Sequence, residues 1–214
     1  MPQGGTEESR GKRRTRGGWR QKCQGKEGAP PIILWNARGI MAKEGLKMAE
    51  LSQVAAEEEA EMICIVETHL DGQYEDEELT PAGYQDPIRV DREVEPTVRG
   101  AEKGKRKKPK RGGGVAVWAR EGRTLERVSK RRGSDFEMVA FSDKASAQRY
   151  IVVYRRPGPA ITPELLEAIE QEAAGKQQVV VMGDLNMNML AKLPQPRQLN
   201  TLLGRQLQLK QQQQ

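Results

Sequence analysis

Apolar and polar positions fall along this chain in blocks that predict an α/β fold. Ile32-Ile33-Leu34-Trp35 is a continuous apolar run that stops at Asn36-Ala37-Arg38-Gly39, the pattern of a buried strand ending in a polar turn. Residues 43–60 are rich in Ala, Glu, Lys, Leu and Met. Met48, Leu51, Val54 and Ala55 stand at helical spacing there, and Glu57-Glu58-Glu59 is left for solvent. A second apolar strand, residues 61–66, runs directly into Glu67-Thr68-His69. Strand, helix and strand in this order have the size of a βαβ-type unit, and if the two strands are parallel neighbours their polar ends share one edge of the sheet.

Residues 70–81 read as an acidic loop, and Gly83-Tyr84-Gln85 with Ile88-Arg89-Val90 as a short edge strand. Strand character restarts after three glycines with Val115-Ala116-Val117-Trp118. Residues 124–128, 136–141 and 149–154 are spaced as short strands of an antiparallel meander, the last with strong β-propensity. Thr162-Pro163-Glu164 supplies an N-cap, a proline at the first position and acid in the first turn of a helix that Gly175 closes. Val179-Val180-Val181-Met182 is one more buried strand, running into Gly183-Asp184-Leu185-Asn186. A proline-containing loop, a helix near residues 197–209 and a glutamine run at 211–214 follow.

Composition divides the chain further. At 214 residues there is room for one ordinary domain, and 31% charged residues are too many for a uniformly folded globule. Residues 1–30 hold eight Lys/Arg against three Glu, and residues 91–111 hold nine against four Asp/Glu, so each segment carries +5 of a net charge of only +6. The remainder is mildly acidic. The expected organisation is a disordered basic tail at 1–30, a domain at 31–209 interrupted by a disordered basic insertion at 91–111, and a Gln-rich end at 210–214. Attraction to polyanions then comes from two flexible arms, which can neutralise phosphates, act as an import signal, or merely be solvated. Cys23 lies in the tail and Cys64 in an apolar run, so reduced thiols are expected. With no apolar stretch long enough for a membrane span and no secretory leader, the expected location is nuclear or cytoplasmic.

Candidate chemistry lies where apolar strands end in carboxylate or carboxamide: Asn36, Glu67, and Asp184 with Asn186. Hard oxygen ligands gathered at one sheet edge suit Mg²⁺, which takes one or two carboxylates, keeps waters and accepts the remaining oxygens from substrate phosphate.

The same residues carry a resemblance. Trp35-Asn36-Ala37-Arg38-Gly39, Val66-Glu67-Thr68-His69-Leu70, Gly112-Gly113-Gly114-Val115-Ala116-Val117, Tyr154-Arg155-Arg156-Pro157 and Gly183-Asp184-Leu185-Asn186 occur in the order seen in the endonuclease/exonuclease/phosphatase family. The set is most similar to the apurinic-endonuclease-type domain of non-LTR retrotransposons, the domain that accompanies a reverse transcriptase. The resemblance implies a two-sheet α/β sandwich and hydrolysis of DNA phosphodiester bonds with Mg²⁺, or Mn²⁺ in its place. It further implies that Glu67 is the principal metal ligand, supported by Asn36. Asp184 would orient or deprotonate the attacking water, and Asn186 and Tyr154 would bind the scissile phosphate. Arg38 stands where some members carry an acidic metal-site residue.

Family members continue past the Gly-Asp-X-Asn motif to a later aspartate and a final Ser-Asp-His motif, and no such motif follows Asn186 in this sequence. The expected fold is therefore the sandwich lacking its last strands. His69 is the single histidine and stands two residues after Glu67, too close to replace the missing one, so a packing or loop role is expected for it. Two functional expectations result: a Mg²⁺-dependent DNA endonuclease or phosphodiesterase, and alternatively a catalytically dead remnant that binds nucleic acid through its basic arms.

Overall fold

The computed structural model describes residues 20–23 (backbone), 30–42, 45–92, 112–158, 161–176 and 178–187. Among these, nine strands and two α-helices follow in order: β1 (Arg20–Cys23), β2 (Ile32–Asn36), α1 (Leu46–Glu57), β3 (Met62–Val66), β4 (Ile88–Val90), β5 (Val115–Ala119), β6 (Leu125–Arg132), β7 (Phe136–Asp143), β8 (Arg149–Arg155), α2 (Pro163–Ala173) and β9 (Val179–Asp184). They form two mixed sheets, one ordered β1-β2-β3-β5-β4 and the other β6-β7-β8-β9. The expected βαβ unit is present: β2 and β3 are parallel, with Asn36 level with Val66. The meander β6-β7-β8 is antiparallel, and α2 returns the chain to β9, parallel to β8.

Each sheet buries both faces. Met62, Cys64, Val66, Val117, Val139, Phe141, Tyr150 and Val152 fill the layer between the sheets. Leu51 and Ala55 of α1 pack on Trp35, Ile63 and Trp118 outside the first sheet. Leu165, Ala168 and Ile169 of α2 pack on Phe136, Met138, Ile151 and Val153 outside the second. Fully burying side chains of this size contributes about 1.5–3 kcal/mol each, which makes this four-layer stack the main support of the site. Helix α2 starts where the sequence says, with Thr162 Oγ1 accepting from Leu165 N at 3.3 Å.

The structure departs from expectation in three places. Within the segment expected to be an unstructured tail, Arg20–Cys23 pairs antiparallel with β2 and covers its edge. Strand β6 runs to Arg132 rather than ending near 128. It is an edge strand whose exposed positions accept polar residues, and a bulge between Glu126 and Ser129, with Arg127 at φ 52°, lets pairing resume. The polar strand ends, thirdly, do not share a single sheet edge: Asn36 and Glu67 belong to the first sheet and Asp184 to the second. The basic insertion expected at 91–111, beyond Arg92, and the helix expected near 197–209 lie outside the described residues.

At the opposite end of the sandwich from those strand ends, Arg123 ties the sheets together, donating to Glu61 at 2.7 Å and to fully buried Asp143 at 2.9 Å. Burial pushes the Asp143 carboxyl up, but hydrogen bonds from Ser146 and Arg123 outweigh it and hold the carboxyl below its ordinary value. A depressed carboxyl contributes stability above its unfolded pKa, and that contribution is lost as pH falls through the folded one. Asp143→Asn is therefore expected to lower the melting temperature at neutral pH and to shrink the further loss seen below about pH 4, and thermal melts across pH check it.

Candidate active site

The site is assembled by strand ends that all emerge at the same end of the sandwich. Immediately after β2 and β3 the two chains continue to pair: Ala37 N donates to Val66 O at 3.0 Å, Gly39 N to Glu67 O at 2.8 Å and Ile40 N to Thr68 O at 2.9 Å. From the other side, Thr68 N and His69 N donate to the carbonyls of Gly114 and Gly113. Glu67 is thus held on a loop pinned to both neighbours. The close approach needs glycine at 114, where a Cβ would lie 2.2 Å from Thr68 Oγ1 and φ is +92°.

Arg38, Glu67, His69 and Asn186 are four of the seven non-glycine residues with positive φ among the described residues. Each such conformation costs on the order of 1–2 kcal/mol, and strain gathered on loops of one region points to a site whose geometry is imposed by its surroundings.

Across the gap between the sheets, Asn36 Nδ2 donates to Asp184 Oδ2 at 2.7 Å. The other Asp184 oxygen accepts from Asn186 N at 2.9 Å, and Asn186 Nδ2 donates to Arg155 O at 2.6 Å. Tyr154 lies level with Asp184 on the neighbouring strand. Burial, followed by the charge of Glu67 and the hydrogen bond the hydroxyl makes to it, raises the Tyr154 hydroxyl far above its ordinary value, with Glu137 and Asp184 adding to the effect. The phenol therefore keeps its proton as a donor. Asn36, Glu67, Tyr154, Asp184 and Asn186 are thereby brought together in one cluster. His69 stands beside them, its Nε2 3.7 Å from Glu67 Oε2.

Asn36 Oδ1 is buried and accepts no hydrogen bond, while its amide nitrogen is committed to Asp184. An orphaned amide oxygen near one carboxylate is a hard-oxygen donor set of the sort Mg²⁺ takes, with water and phosphate completing the shell. No three His, Cys, Asp or Glu side chains gather at metal-ligand spacing among the described residues.

One acidic residue of this end was missed by the sequence reading. Glu137, on β7, is fully buried, lies level with Tyr154, and accepts from Arg156 Nη2 at 2.9 Å through Oε1. Its Oε2 has no partner. The signal was present in Phe136-Glu137-Met138-Val139-Ala140-Phe141, where Glu137 takes a place in the inward alternation shared by Val139 and Phe141.

Comparison with known proteins gives a consistent picture. The sequence profile of the Endonuclease/Exonuclease/phosphatase family matches residues 33–205. Among solved structures, the chain is similar to the 3′ phosphatase NExo from Neisseria bound to a product DNA hairpin, with a TM-score of 0.52 and 17% identity, covering 74% of this chain and 58% of that one. It is similar also to the 3′-5′ exonuclease NExo of Neisseria meningitidis, with a TM-score of 0.51 and 18% identity, over 73% of this chain and 57% of that one. The chain therefore spans somewhat more than half the length of these proteins. No curated protein sequence matches it significantly.

Proposed function

This chain belongs to the endonuclease/exonuclease/phosphatase family, and from that premise we propose that it is a Mg²⁺-dependent phosphodiesterase acting on the DNA backbone. The observation that carries the proposal is the 2.7 Å hydrogen bond from Asn36 to Asp184, which brings the polar strand ends of two separate sheets face to face. A domain that only needed to fold would bury apolar residues at that junction; this one gathers two carboxylates, two amides and a protonated phenol there. DNA as substrate is supported by the motif set, similar to the endonuclease domains of non-LTR retrotransposons, and by the solved relative that carries a DNA hairpin.

Glu67 and Asn36 Oδ1 are the groups that would hold the metal. A bound Mg²⁺ supplies charge neutralisation at the phosphoryl oxygens. Asp184, fixed through both oxygens by Asn36 and Asn186, is set to orient a water and take its proton as the new phosphorus–oxygen bond forms. The opposite phosphorus–oxygen bond then breaks, and the departing oxygen is protonated from solvent. Tyr154 and Asn186 donate to the phosphoryl oxygens, where charge builds up.

Nicking of supercoiled plasmid by the purified, folded full chain is the test. Cleavage is expected with Mg²⁺ and none with EDTA; a folded protein that leaves plasmid intact across a range of Mg²⁺ and Mn²⁺ concentrations overturns the reading.

A further inference from the structure

Arg155 ends β8 with its side chain fully buried on the outer side of the second sheet. It lies across from Phe136, which packs with α2, whereas its neighbour Tyr154 takes the side between the sheets. Its Nη1 donates to Leu185 O and its Nη2 to Gly158 O, each at 3.1 Å, and its Nε lies 3.3 Å from Asp135 Oδ2 in an ion pair. Asp135 is fixed in turn, accepting from Thr162 Oγ1 at 2.8 Å at the start of α2. Taking a guanidinium out of water is costly, and replacing a buried ion pair by apolar side chains is often neutral or favourable for stability. An apolar residue continuing the row of Ile151 and Val153 would pack there, so stability alone does not ask for arginine at 155.

What the arginine reaches is the loop that carries the chemistry. The Leu185 carbonyl and the Asn186 amide belong to a single planar peptide unit, so fixing the direction of one fixes the direction of the other. Arg155 Nη1 holds the carbonyl, and the amide on the far side of the same unit donates to Asp184 Oδ1 at 2.9 Å. A carbonyl that accepts from a charged donor also polarises its peptide unit and strengthens the hydrogen bond its N–H makes to the carboxylate. The main chain of Arg155 adds a second hold, its oxygen accepting from Asn186 Nδ2 at 2.6 Å. Asn186 is at φ 48°, a conformation that persists only where the surroundings impose it, and Arg155 grips it from both sides.

We propose that Arg155 is a positioning residue for the reaction: from behind the second sheet it sets the peptide unit between Leu185 and Asn186, and thereby aims the Asp184 carboxylate and the Asn186 side chain. It touches neither the attacking water nor the phosphate. The role rests on the phosphodiesterase reading for what the loop does, while the hold on the loop is measurable without any cleavage. Asp135, through its ion pair with the guanidinium, ties that hold to the start of α2.

Two readouts on the full chain test the role. The first is amide hydrogen exchange at Asn186, taken relative to the amides of residues 151–153 so that a change in global stability cancels. Arg155→Met is expected to speed it by at least about tenfold on that scale. Asp143→Asn, a destabilising change at the far end of the sandwich, is expected to leave the ratio as it is. The second is plasmid nicking, in which Arg155→Met is expected to lower kcat by about 10- to 100-fold with KM altered less than about threefold, and Arg155→Lys to restore part of the loss. An arginine that only supported the fold would move neither the exchange ratio nor the kcat of the folded protein. If Arg155→Met does not melt cooperatively, Asp135→Asn removes the charge that anchors the guanidinium and is expected to shift both readouts in the same direction by a smaller factor. An exchange ratio at the parental value in the folded variants, or a loss confined to KM, overturns the proposal. A parental chain that does not nick sinks the phosphodiesterase reading, and the exchange ratio still decides whether Arg155 holds the loop.

Discussion

Asp184→Ala is expected to reduce Mg²⁺-dependent nicking by at least about 10³-fold while the protein remains folded. Asp184 is the one carboxylate of the cluster with both oxygens fixed by donors, Asn36 Nδ2 on one and Asn186 N on the other, so its orientation toward a water is set before substrate arrives. Asn36→Ala removes one of those donors together with the orphaned amide oxygen, and is expected to be severe as well. Groups that act as a unit do not lose activity additively. The Asn36→Ala, Asp184→Ala double variant is therefore expected to be about as slow as Asp184→Ala alone. Nicking rates of the four proteins, with circular dichroism to confirm folding, check this. Losses that multiply would show that the two residues serve separate steps, and nicking by Asp184→Ala at the parental rate would place the chemistry elsewhere.

Why some of this site is legible in the sequence and some is not follows from the range of the interactions. Asn36 and Glu67 stand out because each ends a short apolar run, and the parallel pairing of β2 and β3 follows from the helix between them. Asp184 and Asn186 stand out for the same local reason. That Asp184 belongs to the other sheet is not written locally, since an apolar run carries no mark of which sheet it joins. The hydrogen bond between Asn36 and Asp184 spans 148 residues and is a product of the packing of whole sheets. Glu137 is hidden differently. In a strand with one wet face an acidic residue is unremarked, and only the burial of both faces of β7 turns it into an anomaly. Arg20–Cys23 has no strand signal of its own and is a strand because β2 presents an edge to pair with.

Gly183→Ala is expected to be among the most damaging single changes to stability. The residue has φ +136°, and a Cβ there would lie 1.8 Å from Val153 O, with the carbonyl carbon and amide nitrogen of Val153 within 3 Å. Those atoms are the backbone of β8, not the end of a side chain, so they can yield only by parting the strands. Gly183 pairs with Val153, and the next pair along is Asp184 with Tyr154. Relief of the clash therefore moves Asp184 away from both Tyr154 and Asn36, and activity is expected to be lost with stability. A cost of at least about 4 kcal/mol is expected, or a fall in melting temperature of roughly 10 °C or more for a domain of this size. Gly122→Ala is the control. Gly122 has φ +84° but nothing within 4 Å of its would-be Cβ, so it bears only the backbone strain of about 1–2 kcal/mol. Equal melting temperatures for the two variants would mean that β8 and β9 are not packed this closely, and the placement of Asp184 opposite Asn36 would lose its structural cause.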